Sequence, residues 1–143
     1  MFYVQGFYKI KRIANFNQYK DLLKKYLLSK FVKGTIILSP EGINGTIAGK
    51  KKDVKNCIEY IKDKFSIVSF DSYNTSICEF LPFYRAKVKV KKEVVPIGLK
   101  LKFNEKNKSC YVHPNHWNKL ISDKNVTLID VRKPFEHKVG TFK

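Results

Sequence analysis

Arginine is almost missing from a chain that is otherwise strongly basic. Only Arg12, Arg85 and Arg132 are arginine among 29 Lys and Arg residues, and 12 residues are acidic, which leaves a formal charge of +17 on 143 residues. Cysteine is scarce too. Cys57, Cys78 and Cys110 are odd in number and widely spaced, so no disulfide framework and no CxxC metal knuckle can be read from them. A reducing, cytoplasmic compartment is the expectation. No apolar run approaches the roughly 20 residues that cross a bilayer, so no membrane partner is expected. Met1 to Gly6 lacks the basic stretch followed by an apolar one that marks a secretory signal. No segment repeats. No Gly-Lys-Ser/Thr follows a glycine-rich loop and no nucleophile elbow surrounds a serine, which excludes a P-loop and a serine-hydrolase reading.

What is present is enough for a packed core. Hydrophobic residues make up 43% and aromatic residues 14%, which fits one domain of ordinary size. The charge has two readings. A polyanion such as nucleic acid gains affinity through counterion release. Against that, the lysines come with many Ile, Asn, Phe and Tyr residues, the mix that an AT-rich genome writes into any gene. Arginine, whose planar fork suits phosphates and bases better than an ammonium does, is too rare to decide between them.

The pattern along residues 1–92 alternates between strand and helix. Phe2 to Ile10 is aromatic and β-branched, a strand. Phe16, Tyr19, Leu22, Leu23, Tyr26, Leu27 and Phe31 recur at helical spacing, with Asn15 as N-cap and Gly34 as stop. Thr35–Ser39 and Thr46–Ala48 are strands on either side of a segment dense in turn residues. Val54, Cys57, Ile58, Ile61 and Phe65 mark a second helix. Phe83 to Lys91 alternates as a late strand. The order βαββαβ predicts an α+β class, ferredoxin-like domain with helices on one face of an antiparallel sheet. Phe16, Leu23, Leu27, Ile36, Leu38, Ile47, Ile58 and Ile61 are its expected core.

Such a sheet leaves one face free. In Arg85, Lys87, Lys89 and Lys91 every second residue is basic, so these four side chains share one face of the late strand. They are the candidate RNA-binding residues; the plain alternative is a solvated face. A second candidate is the loop containing Glu41, Gly42, Asn44 and Gly45. Its glycines and Asn permit an anion nest of backbone N–H groups, and equally a tight β-hairpin turn. Cys110, His113 and His116 stand at C-x2-H-x2-H spacing. Metal ligands usually come as two separated pairs, so no metal is expected, and no cofactor or catalytic residue is assigned.

Residues 93–123 read as a linker with a short strand near 97–103 and a helix from His113 to Ile121, where Pro114 suits the first turn. Val126 to Ile129 is a compact apolar run, the pattern of a strand buried on both faces.

One resemblance spans the chain in order. It rests on Glu41-Gly42-Ile43-Asn44-Gly45-Thr46, Pro82-Phe83 leading into Arg85-Ala86-Lys87-Val88-Lys89, Glu93-Val94-Val95, Pro114, Trp117-Asn118, Ile129-Asp130-Val131-Arg132, Phe135-Glu136 and Val139-Gly140-Thr141-Phe142. Together these resemble the bacterial tRNA uridine hydroxylase family, whose members join an acylphosphatase-like N-terminal domain to a rhodanese domain. The resemblance implies oxygen-dependent hydroxylation of the wobble uridine at carbon 5, with tRNA as partner. It also implies an essential cysteine in a Cys-Thr-Gly-Gly-Ile-Arg-Cys-type rhodanese loop. None of the three cysteines matches that loop. Residues 124–143 then correspond to an incomplete, rhodanese-like α/β stub, with Asp130, Arg132 and Glu136 as supporting and not reacting groups. The family usually shows Asp-Thr-Arg-Asn where this chain has Asp130-Val131-Arg132-Lys133.

On this reading the chain is the N-terminal part of a tRNA uridine(34) hydroxylase and is inactive alone. A separate chain supplying the rest of the rhodanese domain is one expected partner. A stand-alone RNA-binding module or a degenerate gene relic is the alternative. An acylphosphatase is disfavoured, because that activity needs a phosphate-cradling Arg near the N-terminus and Arg12 lies at a strand end.

Overall fold

The computed structural model describes residues 1–94 and 112–141. They belong to two compact units, Met1–Leu101 and Lys102–Lys143.

The first unit runs β1 (Phe2–Ile10), α1 (Tyr19–Ser29), β2 (Lys33–Ser39), β3 (Gly42–Gly49), α2 (Lys51–Phe65), β4 (Ser72–Cys78) and β5 (Ala86–Val90). The sheet order is β4-β1-β3-β2-β5. The four strands β4-β1-β3-β2 pair antiparallel and form the ferredoxin-like core; β5 adds to the β2 edge in parallel. The late strand is therefore a fifth strand. The fourth is Ser72–Cys78, a segment that sequence periodicity does not reveal.

The core forms because both helices put their apolar stripes on one sheet face. Leu23 and Leu27 from α1 and Val54, Cys57, Ile58, Ile61 and Phe65 from α2 are buried. They meet Phe7, Ile36, Leu38, Ile43, Ile47, Ala86 and Val88 from the sheet. The expected core residues are all buried, except that Phe16 packs partly exposed against the cluster. Gln5 is the polar exception. Its Nε2 donates to the carbonyls of Gly6 (2.9 Å) and Asn74 (2.8 Å), and its Oε1 accepts from Thr75 Oγ1 (2.9 Å). A buried amide costs little when all its groups are paired, and here the pairs fasten β4 to β1.

Both helices end in a reciprocal C-terminal cap. Val32 N–H donates to Leu27 O (2.9 Å) and Phe31 N–H to Leu28 O (3.0 Å); Ile67 N–H donates to Lys62 O (2.8 Å) and Ser66 N–H to Asp63 O (3.2 Å). This 6→1 and 5→2 pattern needs a left-handed residue at the turn, usually Gly. Phe31 (φ 53°) and Ser66 (φ 49°) fill that role. The helix stop is thus Phe31 and not Gly34. Asn15 is left-handed too (φ 51°) and makes no side-chain cap; a 3-10 turn, Phe16–Gln18, precedes α1.

In the second unit α3 (Pro114–Ile121) and α4 (Pro134–Val139) are formed, and neither helix contains a buried residue. The strand expected at Val126 to Ile129 is absent. Residues 126–131 are irregular, with Ile129 75% and Val131 90% exposed. An apolar run has no β-structure without a ladder partner, and among the described residues this unit offers only helices. The short strand expected near 97–103 lies outside the described residues.

Candidate nucleic-acid interface

β5 alternates strictly. Ala86 and Val88 are buried towards the helices, while Lys87 and Lys89 are exposed on the other side. Arg85 and Lys91 continue the exposed series at its ends. The strand is fixed in place by parallel pairing with β2, which sets Thr35 beside Lys87 and Ile37 beside Lys89. Lys91 N–H donates to Leu38 O (2.9 Å) and Gly34 N–H to Arg85 O (3.1 Å), so the ladder extends to both flanking cations.

Lys33 shares the face of Thr35 and Ile37 and lies at the Arg85 end of the row. Sequence reading missed it, because only the β2–β5 pairing brings it there. Among the described residues none of Arg85, Lys87, Lys89 and Lys91 forms an ion pair. Other lysines have partners. Lys9 Nζ reaches Asp71 Oδ1 at 2.7 Å, and Lys62 Nζ reaches Glu59 Oε1 at 3.1 Å. Lys11 Nζ donates to the carbonyls of Phe65 (2.9 Å) and Ser66 (2.6 Å), where a cation complements the C-terminal end of α2. The β5 row is a line of like charges on a sheet face, open to a polyanion. Lysines on an edge strand also block edge-to-edge pairing.

Beside the row lies a shallow groove of about 310 Å³ lined by Thr35, Ile37, Asn44, Gly45, Thr46 and Phe83. Hydroxyl and amide groups on its floor can pair with polar ligand edges, and Phe83 forms an apolar wall.

The Glu41, Gly42, Asn44, Gly45 candidate is mostly strand. Only Pro40 and Glu41 lie between β2 and β3, and Ser39 pairs with Gly42. Glu41 N–H donates to Ser39 Oγ (3.1 Å). The carbonyls of Pro40 and Glu41 accept from Ile13 (3.1 Å) and Lys11 (3.0 Å). Glu41 Oε2 accepts from Val94 N–H (3.3 Å), tying the chain after β5 to the hairpin. Gly42 has φ 153°, and a Cβ there would collide with the Lys9 carbonyl. At Gly45 a Cβ would stand 2.6 Å from Phe7 Cζ, so the glycine seats the Phe7 ring. Asn44 alone presents its side chain to the groove.

In the second unit Asp130 and Arg132 form a bidentate pair, Nε to Oδ1 at 2.9 Å and Nη2 to Oδ2 at 2.6 Å. Arg132 Nη2 also donates to Gly140 O (2.9 Å), which clasps the ends of α4 together. Hydrogen bonds from Arg132 hold the Asp130 carboxyl down at about 2. Glu136 Oε2 accepts from Lys133 N–H (3.1 Å) at the start of α4.

His113 Nδ1 accepts from Asn115 N–H (3.3 Å) and caps α3. Cys110 lies outside the described residues. Burial is the main cause that pushes the Cys57 thiol up to about 12. Among the described residues no helix is long and apolar enough to cross a membrane.

An antiparallel β4-β1-β3-β2 sheet with both helices on one face defines an α+β, ferredoxin-like fold. Residues 2–94 match the UPF0176 acylphosphatase like domain, and the chain belongs to that family. Over all 143 residues it is 50% identical to the tRNA uridine(34) hydroxylase of Pelagibacter ubique (strain HTCC1062). It covers 47% of that relative, so the chain spans about half the length of the curated relative it matches. The family resemblance read from the sequence stands.

Among solved structures the chain is similar to acylphosphatase from Bacillus subtilis, at 10% identity over 64% of this chain and 99% of that one, with a TM-score of 0.43. It is also similar to full-length HypF in the phosphate- and nucleotide-bound form, at 14% identity over 66% of this chain and 13% of that one, with a TM-score of 0.48.

Proposed function

We propose that this chain is the N-terminal part of a tRNA uridine(34) hydroxylase and supplies a tRNA-binding surface to it. The observation that carries the reading is identity of 50% to such a hydroxylase over all 143 residues of the chain. The surface is the Arg85, Lys87, Lys89 and Lys91 row, whose unpaired cations suit the phosphates of tRNA. Phosphate contacts position the ligand and carry no sequence information, which agrees with a domain that docks a substrate for chemistry performed elsewhere.

The proposed division of the chain is a tRNA-facing domain at 1–92, a linker at 93–123 and the opening of a rhodanese-like domain at 124–143. Asp130, Arg132 and Glu136 order that opening and are not reacting groups. We assign the reacting cysteine to the part of the family protein that this chain does not span. A buried thiol such as Cys57 is a poor nucleophile, since the thiolate is the reactive form. The protein would work in the cytoplasm, with tRNA.

The test joins this chain to the remaining length of the Pelagibacter relative, as a fusion or as two co-expressed chains. Unmodified tRNA is then analysed by mass spectrometry for 5-hydroxyuridine at position 34. Turnover by the combination, and none by the 143-residue chain alone, is expected. A combination that stays inactive while the relative's own intact protein turns over would overturn the assignment.

A further inference from the structure

The connection between β4 and β5 has an unusual task. These strands lie at opposite edges of the sheet, so residues 79–85 must pass β1, β3 and β2. Four inter-strand steps of about 4.8 Å make roughly 19 Å. The eight Cα–Cα steps from Cys78 to Ala86 reach about 28 Å at most when extended. The crossover therefore uses most of its reach to span the sheet.

Its three aromatic residues part company. Phe83 turns down and lines the groove with Thr35, Ile37, Asn44 and Thr46. Phe80 stays 69% exposed and Tyr84 97% exposed. One exposed aromatic on a protein needs no explanation. Two of them in a single crossover, with Tyr84 adjoining Arg85 at the head of an unpaired cation row, make a composite surface. Tyr84 stands at the head of a line of positive charge that repeats about every 6.6 Å along the strand, and Phe80 lies further back along the crossover, towards β4.

We propose that Phe80 and Tyr84 are stacking sites for unpaired bases of single-stranded RNA whose backbone lies along the β5 cations. This deepens the tRNA-binding reading above and rests on it. Aromatic stacking selects bases that are splayed out and tolerates their identity. A base inside an A-form duplex has no free face to offer. The crossover would thus direct the surface to a loop of the tRNA and not to its stems.

The experiment uses the 143-residue chain, a single-stranded RNA carrying 2-aminopurine, and a blunt RNA duplex of equal length. Tyr84→Ala and Phe80→Ala remove rings that bury little, and thermal melts check that the fold is kept. Each should weaken single-strand binding at least about fivefold at fixed salt and reduce the 2-aminopurine fluorescence change. The salt slope and the duplex affinity should stay as they were. Tyr84→Phe should restore binding, since the ring and not the hydroxyl is needed.

If the alanine variants bind single strands like the parent while the Arg85, Lys87, Lys89 and Lys91→Gln variant does not, the stacking sites are refuted and RNA binding by the row survives. If the parent chain binds neither RNA, the tRNA reading falls, and the stacking sites fall with it.

Discussion

Residues 1–94 and residues 112–141 obey the same local rules and reach different ends. In the first stretch helices carry apolar stripes and find a sheet to cover, so Leu27, Ile36 and Ile58 vanish from solvent. In the second, α3 begins on a proline with a His113 cap and α4 with a Glu136 box, yet neither buries a residue. Phe135 remains 64% and Val139 88% exposed. Capping and first-turn chemistry specify where a helix starts; they do not supply the burial that makes a domain. The difference lies in what the chain brings to each stretch: five strands in one, none among the described residues of the other.

That contrast can be broken by substitution. Leu27→Ala should cost about 2–5 kcal/mol in chemical denaturation, as expected for a fully buried leucine. Phe135→Ala should change stability by no more than about 0.5 kcal/mol. Comparable losses at the two positions would mean that the second stretch has a core after all. A smaller effect, of about 1–3 kcal/mol, is expected for Gly45→Ala, where the added methyl must displace the Phe7 ring. An unchanged melting curve would contradict the close approach of ring and backbone.

Thiol chemistry sharpens the same comparison within the first stretch. In a Cys110→Ser background, Cys78 on the edge strand should react with a disulfide reagent at pH 8 well before the buried Cys57 does. Cys57 is 1% exposed and should react only when the fold opens, and burial also pushes its thiol up to about 12. Equal rates for the two in folded protein would contradict its burial.

The smallest effect is the pH response of the Asp130–Arg132 clasp. The carboxyl sits at about 2 in the folded chain against an ordinary value of 3.8. A depressed carboxylate contributes its stabilisation above its unfolded value and loses it as pH falls through the folded one. The clasp should therefore be complete above about pH 4 and open progressively towards pH 2. Carbon-13 titration of Asp130 should show a midpoint near 2, and Arg132→Gln should return it towards the ordinary value. A midpoint that ignores Arg132 would remove the clasp.

Much of this was legible in the sequence, for physical reasons that also mark where reading stopped. The helical spacing of Leu23, Leu27, Val54, Ile58 and Ile61 reported the buried faces, because burial imposes that period. β4 escaped because its sequence, Ser-Tyr-Asn-Thr-Ser-Ile-Cys, is polar and mostly exposed. Gln5 and backbone pairing attach it, and neither leaves an apolar alternation. Its absence from the reading turned β5 into a fourth strand, although the face assigned to Arg85, Lys87, Lys89 and Lys91 depended only on period two. Lys33 and the groove needed the β2–β5 register, which is long-range information. The apolar run at Val126 to Ile129 misled because hydrophobicity records what a segment prefers, and a strand also needs neighbours. The helix end at Phe31 was hidden because a bulky residue took the left-handed position that usually signals Gly.

The open cationic face is tested most directly by tRNA affinity measured across salt concentrations. Each neutralised phosphate contributes about 0.7–0.9 to the slope of log affinity against log salt. Replacing Arg85, Lys87, Lys89 and Lys91 together with Gln should weaken binding and flatten that slope by roughly two to three units. A quadruple variant that binds tRNA with the parent slope would show that this face is solvated surface and that the charge of the chain serves no polyanion there.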